Sequence, residues 1–120
     1  VEQLEMTIRG IDERIGPLNW RLGFQSKGGA SDVPWLEPEV EQLMDEYKAQ
    51  GHETVIVDPI GFVTDHMETL YDNDIQHKEY AEKIGMKFLR CPCLNVSPTF
   101  IESLGVIALE TARRSGFLEQ

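Results

Sequence analysis

Thr54-Val55-Ile56-Val57 is an unbroken β-branched run, closed by the breaker Pro59-Ile60-Gly61. Branching at Cβ disfavours a helix and packs well on a pleated surface. The lack of polar alternation marks a strand covered on both faces, the usual state of strands in parallel sheets with flanking helices. That run therefore points to α/β architecture, and the neighbouring segments supply the helices.

Leu4, Ile8, Ile11 and Ile15 recur at helical spacing from Val1 until Gly16-Pro17 breaks the pattern. Asn19 to Phe24 alternates polar and apolar and reads as a short first strand, with Trp20 in its core. A loop from Ser26 to Pro34 follows. Helix two is expected from about Pro38 to Gln50, with Pro38 in its first turn and Val40, Leu43, Met44 and Tyr47 as its apolar stripe. Helix three should run from about Asp65 to Ile84, a third strand from Met86 to Arg90, and a last helix from Pro98 with Phe100, Ile101, Leu104 and Ile107 on one side. Strands about 34 residues apart, alternating with helices, match crossover units in an open parallel sheet. Ligands in such sheets sit beyond the strand C-termini, here Gln25 to Trp35, Pro59 to Asp72 and Cys91 to Pro98. The chain opens at Val1 inside a helical pattern and reads as a piece of a longer protein.

Charge narrows the function classes. Eleven basic and 21 acidic side chains in 120 residues give a net charge of −10. Phosphate binding needs a clustered basic face, and only Arg113 and Arg114 stand together, so nucleic acid is not an expected partner. Leu104 to Leu109, the longest uncharged apolar stretch, is too short for the roughly 30 Å of a bilayer core, so no transmembrane segment is expected. Two cysteines are too few for a disulfide scaffold, and no leader pattern precedes the first helix, which favours a reducing cytoplasm.

The acids of helix three are patterned. On an α-helical wheel Asp65, Glu68, Asp72 and Gln76 fall within an arc of about 80°. Like charges at these spacings destabilise an exposed helix, so a cation would relieve them. His66 adjoins the stripe, and the set suits a divalent first-row metal. It also suits proton removal, since closely placed carboxylates cannot all ionise freely and one pKa rises toward general-base range. Acidic stripes are commonly solvated faces, and a histidine at a helix start is commonly a cap, so spacing alone leaves both readings open. Asp74 is a misfit, because a regular helix would place it amid Met67, Leu70 and Tyr71. A wider π-type turn near Tyr71 to Asp74 would rotate it off the core.

The run from Pro59 through Gly61, Asp65-His66-Met67-Glu68 and Tyr71-Asp72-Asn73-Asp74 closely resembles the signature of ferrochelatases, which insert ferrous iron into a porphyrin. Phe24-Gln25-Ser26-Lys27 with Pro34-Trp35-Leu36-Glu37-Pro38 is similar to a second family motif. Leu94-Asn95, Ser97-Pro98 and Phe100-Ile101 are similar to a third. The likeness covers nearly the whole chain. It implies an open parallel sheet with flanking helices, the chelatase-like, Rossmann-type half, with residues 1–120 as an incomplete C-terminal chelatase domain whose N-terminal domain is absent.

By this resemblance Glu68 matches the essential carboxylate, as iron ligand or acceptor of pyrrole protons, and His66 and Asp65 match its catalytic neighbours. Asp72 matches a further metal position, and Gln76 departs from the carboxylate common at the next. Trp35 and Ser26 match porphyrin-pocket positions. Porphyrin and ferrous iron are the implied partners, Fe²⁺ being a substrate, with no cofactor required. The Ser26–Trp35 loop length is similar to that of the coproporphyrin-dependent branch, which ranks coproporphyrin III above protoporphyrin IX. The family's other catalytic histidine lies in an N-terminal motif, and neither His52 nor His77 stands in that context, so the segment alone should be inactive. Docking of the parent on a membrane surface stays open. The alternative is a non-catalytic α/β module that binds metal or porphyrin.

Two further motifs read as bland. Cys91 and Cys93 lack the additional ligands of a zinc or iron–sulfur site, so reduced thiols are expected and no cluster in this segment. Gly28-Gly29 has no Lys-Ser or Lys-Thr partner and is not a phosphate loop.

Overall fold

The structure is a computed structural model that describes residues 1–27 and 34–117. Gly28-Gly29 and most of the Ser26–Trp35 loop lie outside the described residues. The elements are α1 (Glu2–Ile15), α2 (Val40–Ala49), β1 (Thr54–Val57), α3 (Met67–Leu70), a π-helical segment (Tyr71–His77), α4 (Lys78–Lys83), β2 (Lys87–Arg90) and α5 (Pro98–Arg114). β1 and β2 pair in parallel, with Thr54 opposite Lys87 and Val57 opposite Arg90. This is the α/β class with an open parallel sheet.

The core lies between that ribbon and helices α2 and α4. Met44, Ala81 and Met86 are buried at its centre, and Val55, Val57 and Phe88 close onto them from the strands. α4 ends in a Schellman turn. The Met86 N–H donates to the Ala81 carbonyl at 2.8 Å and the Gly85 N–H to the Glu82 carbonyl at 3.0 Å. Gly85 takes a φ of +73°, which only glycine adopts without strain, and so delivers Met86 straight back into the core from the end of its own helix.

Three sequence expectations are corrected. Asn19 to Phe24 is not a strand: only Phe24 bridges in parallel to Glu39, its N–H donating to the Pro38 carbonyl at 2.9 Å. The alternation packs the segment onto the start of α2, with Gly23 close against Leu43 and Val40, and no neighbouring strand among the described residues takes up its other backbone groups. Trp20 is half-buried, and its indole N–H donates to Asp12 at 3.3 Å instead of filling a sheet core. The β1 run is also covered on one face only. Val55 and Val57 turn inward, while Ile56 is 63% exposed, because α2 and α4 lie on the same side. Pro38 stands just before the α2 N-cap, Glu39, and not inside the first turn.

α1 and α5 form where periodicity places them, yet neither buries a residue. The radius of gyration is 17.9 Å, against about 14 Å for a compact domain of this length. The apolar stripe of α5, including Ile101, Leu104 and Ile107, stands exposed. No helix among the described residues is long and apolar enough to cross a membrane.

Burial sets the expected cost of truncation. Met44→Ala removes a fully buried side chain and should destabilise the chain by about 2–4 kcal/mol through lost transfer energy plus a residual cavity. Leu104→Ala on the exposed stripe should stay within about 0.5 kcal/mol. Urea unfolding of the two variants checks the contrast.

Candidate functional site

The acidic helix leaves α geometry after Leu70. Over Tyr71–His77 its turns widen to the five-residue π repeat, extending the expected irregularity well past Asp74. An α-helix sets residues five apart on nearly opposite sides, whereas a π turn stacks them on one face. Asp72 and His77 are thus both buried and both line one cleft. Asp74 rotates out of the core, as the misfit required, and forms an ion pair with Arg90, whose Nε donates at 2.6 Å.

The cleft, about 220 Å³, is bounded by Phe24 to Lys27, Glu39, Glu41, Asp72, Gln76 and His77. Its wall is a seam of buried and half-buried hydrogen bonds. Asn73 is fully buried and donates through Nδ2 to the Thr69 carbonyl at 2.8 Å and to Gln25 Oε1 at 3.1 Å. Gln25 donates in turn to Asp72 Oδ2 at 3.4 Å, and the Ser26 hydroxyl donates to the same oxygen. Ser26 holds a φ of +61°, a left-handed conformation uncommon for a non-glycine residue, and so aims its hydroxyl at the carboxylate. His77 meets Asn73 Oδ1 through Nδ1 at 3.1 Å and faces Glu41 Oε1 through Nε2 at 3.4 Å. Burial pushes its pKa down, opposed by the negative charges of Glu41 and Asp72. Lys27 pairs with Glu39 at 2.9 Å.

The residues singled out from the sequence divide into two groups. Ser26 and Asp72 are brought together in the cleft, with Gln76 on its rim. Glu68, His66, Asp65 and Trp35 lie outside it. Glu68 is exposed, and its carboxylate makes no hydrogen bond among the described residues. Trp35 is 40% exposed. His66 is the N-cap of α3, where its ring stands edge-on to Phe62 at 4.8 Å and its N–H donates to Thr69 Oγ1.

Asp65 is fully engaged. Asn95 Nδ2 donates to one carboxylate oxygen at 2.8 Å and Arg90 Nη1 to the other at 2.9 Å, while the Asp65 N–H donates to Asn95 Oδ1. The Asn95 hydrogen bond, with Arg90 nearby, holds the Asp65 pKa below its ordinary value, opposite to the rise the carboxylate stripe suggested. These bonds fasten the loop after β2 to the start of α3. Cys91 and Cys93 are free thiols on that loop, and burial pushes both pKa values up.

Gln25 opens a segment where the sequence already places ligands, whereas Glu41, Asn73 and His77 are cleft residues that the sequence reading does not single out. An α-helical wheel turns His77 away from Asp72. Carrying the π spacing implied by Asp74 five residues beyond Asp72 would have found it.

A family model described as Ferrochelatase matches residues 1–112. A ferrochelatase of Geotalea daltonii is 42% identical over 105 residues, covering 87% of this chain and 32% of that protein. A coproporphyrin III ferrochelatase of Oceanobacillus iheyensis is 41% identical over 112 residues, covering 92% and 36%. Another, of Geobacillus thermodenitrificans, is 38% identical over 115 residues, covering 95% and 36%. The chain spans about a third of the length of these relatives.

The Asp65 clamp has a pH signature. A carboxylate whose folded pKa is depressed contributes stability above its unfolded pKa of about 3.9 and loses it as pH falls through the folded value. The stability margin of the unmodified chain over Asp65→Asn should therefore hold from pH 7 to about 5 and shrink below about pH 4, as read by thermal melts across that range.

Proposed function

The chain belongs to the ferrochelatase family, and from that premise we propose that it is one wall of an enzyme that inserts Fe²⁺ into a porphyrin in heme biosynthesis. The chain corresponds to the C-terminal part of that enzyme, an N-terminal domain supplying the opposite wall and the partner histidine. Fe²⁺ and the porphyrin are both substrates, and no resident cofactor or iron–sulfur cluster is required of this segment. The names of two of the relatives above favour coproporphyrin III over protoporphyrin IX. The setting is cytoplasmic.

The chemistry asks for two things. Incoming Fe²⁺ must exchange water for nitrogen ligands, and two pyrrole protons must leave as the metal enters. A carboxylate with free lone pairs can serve either need, and one already bound by strong donors cannot. The observation that carries the reading is this contrast between two nearby carboxylates, one just before α3 and one inside it. Glu68 is unengaged and open to a ligand, whereas Asp65 has both oxygens occupied. We therefore assign Glu68 the ligand or proton-acceptor role and Asp65 the holding of its loop. His66 stands beside Glu68 at the helix start. Asp72, one turn on, offers negative charge along the helix, held by Ser26. Trp35 offers an exposed aromatic face of the kind a flat macrocycle stacks on.

Glu68→Gln in the full-length polypeptide tests the assignment. The side chain is exposed, so melting temperature should not change, while kcat for iron insertion should fall at least 100-fold, the scale of a lost proton acceptor or ligand. Retained turnover would reject the role of Glu68. Tight porphyrin binding by residues 1–120 alone, with no turnover in the full-length polypeptide, would favour the non-catalytic module.

A further inference from the structure

His77 carries an inference that the chelatase reading does not use. The ring is 3% exposed, with Nδ1 facing the buried Asn73 amide and Nε2 the half-buried Glu41 carboxylate. Asn73 cannot be flipped, because its Nδ2 meets the Thr69 carbonyl, which only accepts, and also Gln25 Oε1. Gln25 is fixed the same way, its Nε2 lying against the Asp72 carboxylate. Asn73 Oδ1 is therefore the atom facing His77 Nδ1, and Nδ1 must carry the proton and donate. In the neutral ring the Nε2 lone pair then points into the cleft at the Glu41 carboxylate. That pair is acceptor against acceptor, 3.4 Å apart and longer than a good N–H···O hydrogen bond.

We propose that His77 Nε2 and Glu41 Oε1 are two ligands of a divalent first-row metal ion at the floor of this cleft. Two ligands at about 2.1 Å from one tetrahedral ion stand about 3.4 Å apart, the separation observed. Donation of Nδ1–H to a carbonyl oxygen is the usual outer support of a metal-bound imidazole, and Asn73 gives it here. The groups facing His77 favour a cation: Glu41 from α2 and Asp72 from the π segment, while at the mouth Lys27 is already paired with Glu39. Among the described residues no three His, Cys, Asp or Glu side chains converge as a complete cage. The remaining positions belong to water, and such a site exchanges its ion readily. It is distinct from Glu68, which lies outside the cleft.

The competing account is a proton in place of a metal, with His77 as an imidazolium, and nitrogen NMR separates the two. In the full-length polypeptide at pH 7.5, metal-free His77 should show one protonated and one bare nitrogen. Added Zn²⁺ should move the Nε2 signal into the coordinated range. Calorimetry should include a Zn²⁺ equivalent that persists in Glu68→Gln and weakens at least tenfold in Glu41→Gln. The glutamine amide can donate to Nε2, so that variant should fold and melt no lower than the unmodified protein without metal. His77 protonated on both nitrogens and unmoved by Zn²⁺, or a Zn²⁺ affinity unchanged in Glu41→Gln, would overturn the proposal. Loss of Zn²⁺ binding in Glu68→Gln but not in Glu41→Gln would also overturn it, while leaving the ferrochelatase reading intact.

Discussion

Asn73 holds three parts of the molecule with one amide. It reaches the Thr69 carbonyl, the group its own backbone N–H would serve in an α-helix, and so supports the wider turns that follow. Its second donor fixes Gln25, and through Gln25 and Ser26 the carboxylate of Asp72. Its oxygen sets the tautomer of His77. A buried amide with every polar atom satisfied is a rigid device, because leaving any one of those atoms unpaired costs about 1–3 kcal/mol. The orientation of the cleft residues follows from it.

Electrostatics divide the acids of this chain by task. Asp65 and Asp74 share one guanidinium, that of Arg90 at the end of β2, and so tie the sheet to the turn before α3 and to the middle of the π segment. Asp72 receives only neutral donors and keeps its negative charge for the cleft. Glu68 receives none. The stripe that looks uniform on a helical wheel is three different groups, separated by what each one already binds.

Much of this was readable beforehand. Helical periodicity located α1, α2 and α5, and the β-branched run located β1, because backbone preference and side-chain pattern agree there. Asp74 gave away the π segment, since no charged residue rests unpaired in a core. The errors have physical reasons. Asn19 to Phe24 alternates like a strand, but alternation reports a half-buried extended chain whether the neighbour is a strand or, as here, the start of a helix. Ile56 has the composition of a two-sided strand, while coverage depends on what packs above it. His77 was hidden because the wheel assumed 3.6 residues per turn through a segment that does not keep that pitch.

The widened turns make chain length itself a determinant of the cleft. Excising a single residue between Tyr71 and His77 would let the segment close to ordinary pitch with the parts after it nearly in phase, because one residue is about what the wider turns absorb. Ala81 would stay in the core with Met44, while the Thr69 carbonyl would pass from the Asn73 side chain to the Asn73 backbone N–H. Such a deletion should spare the fold and release the amide that orients the cleft.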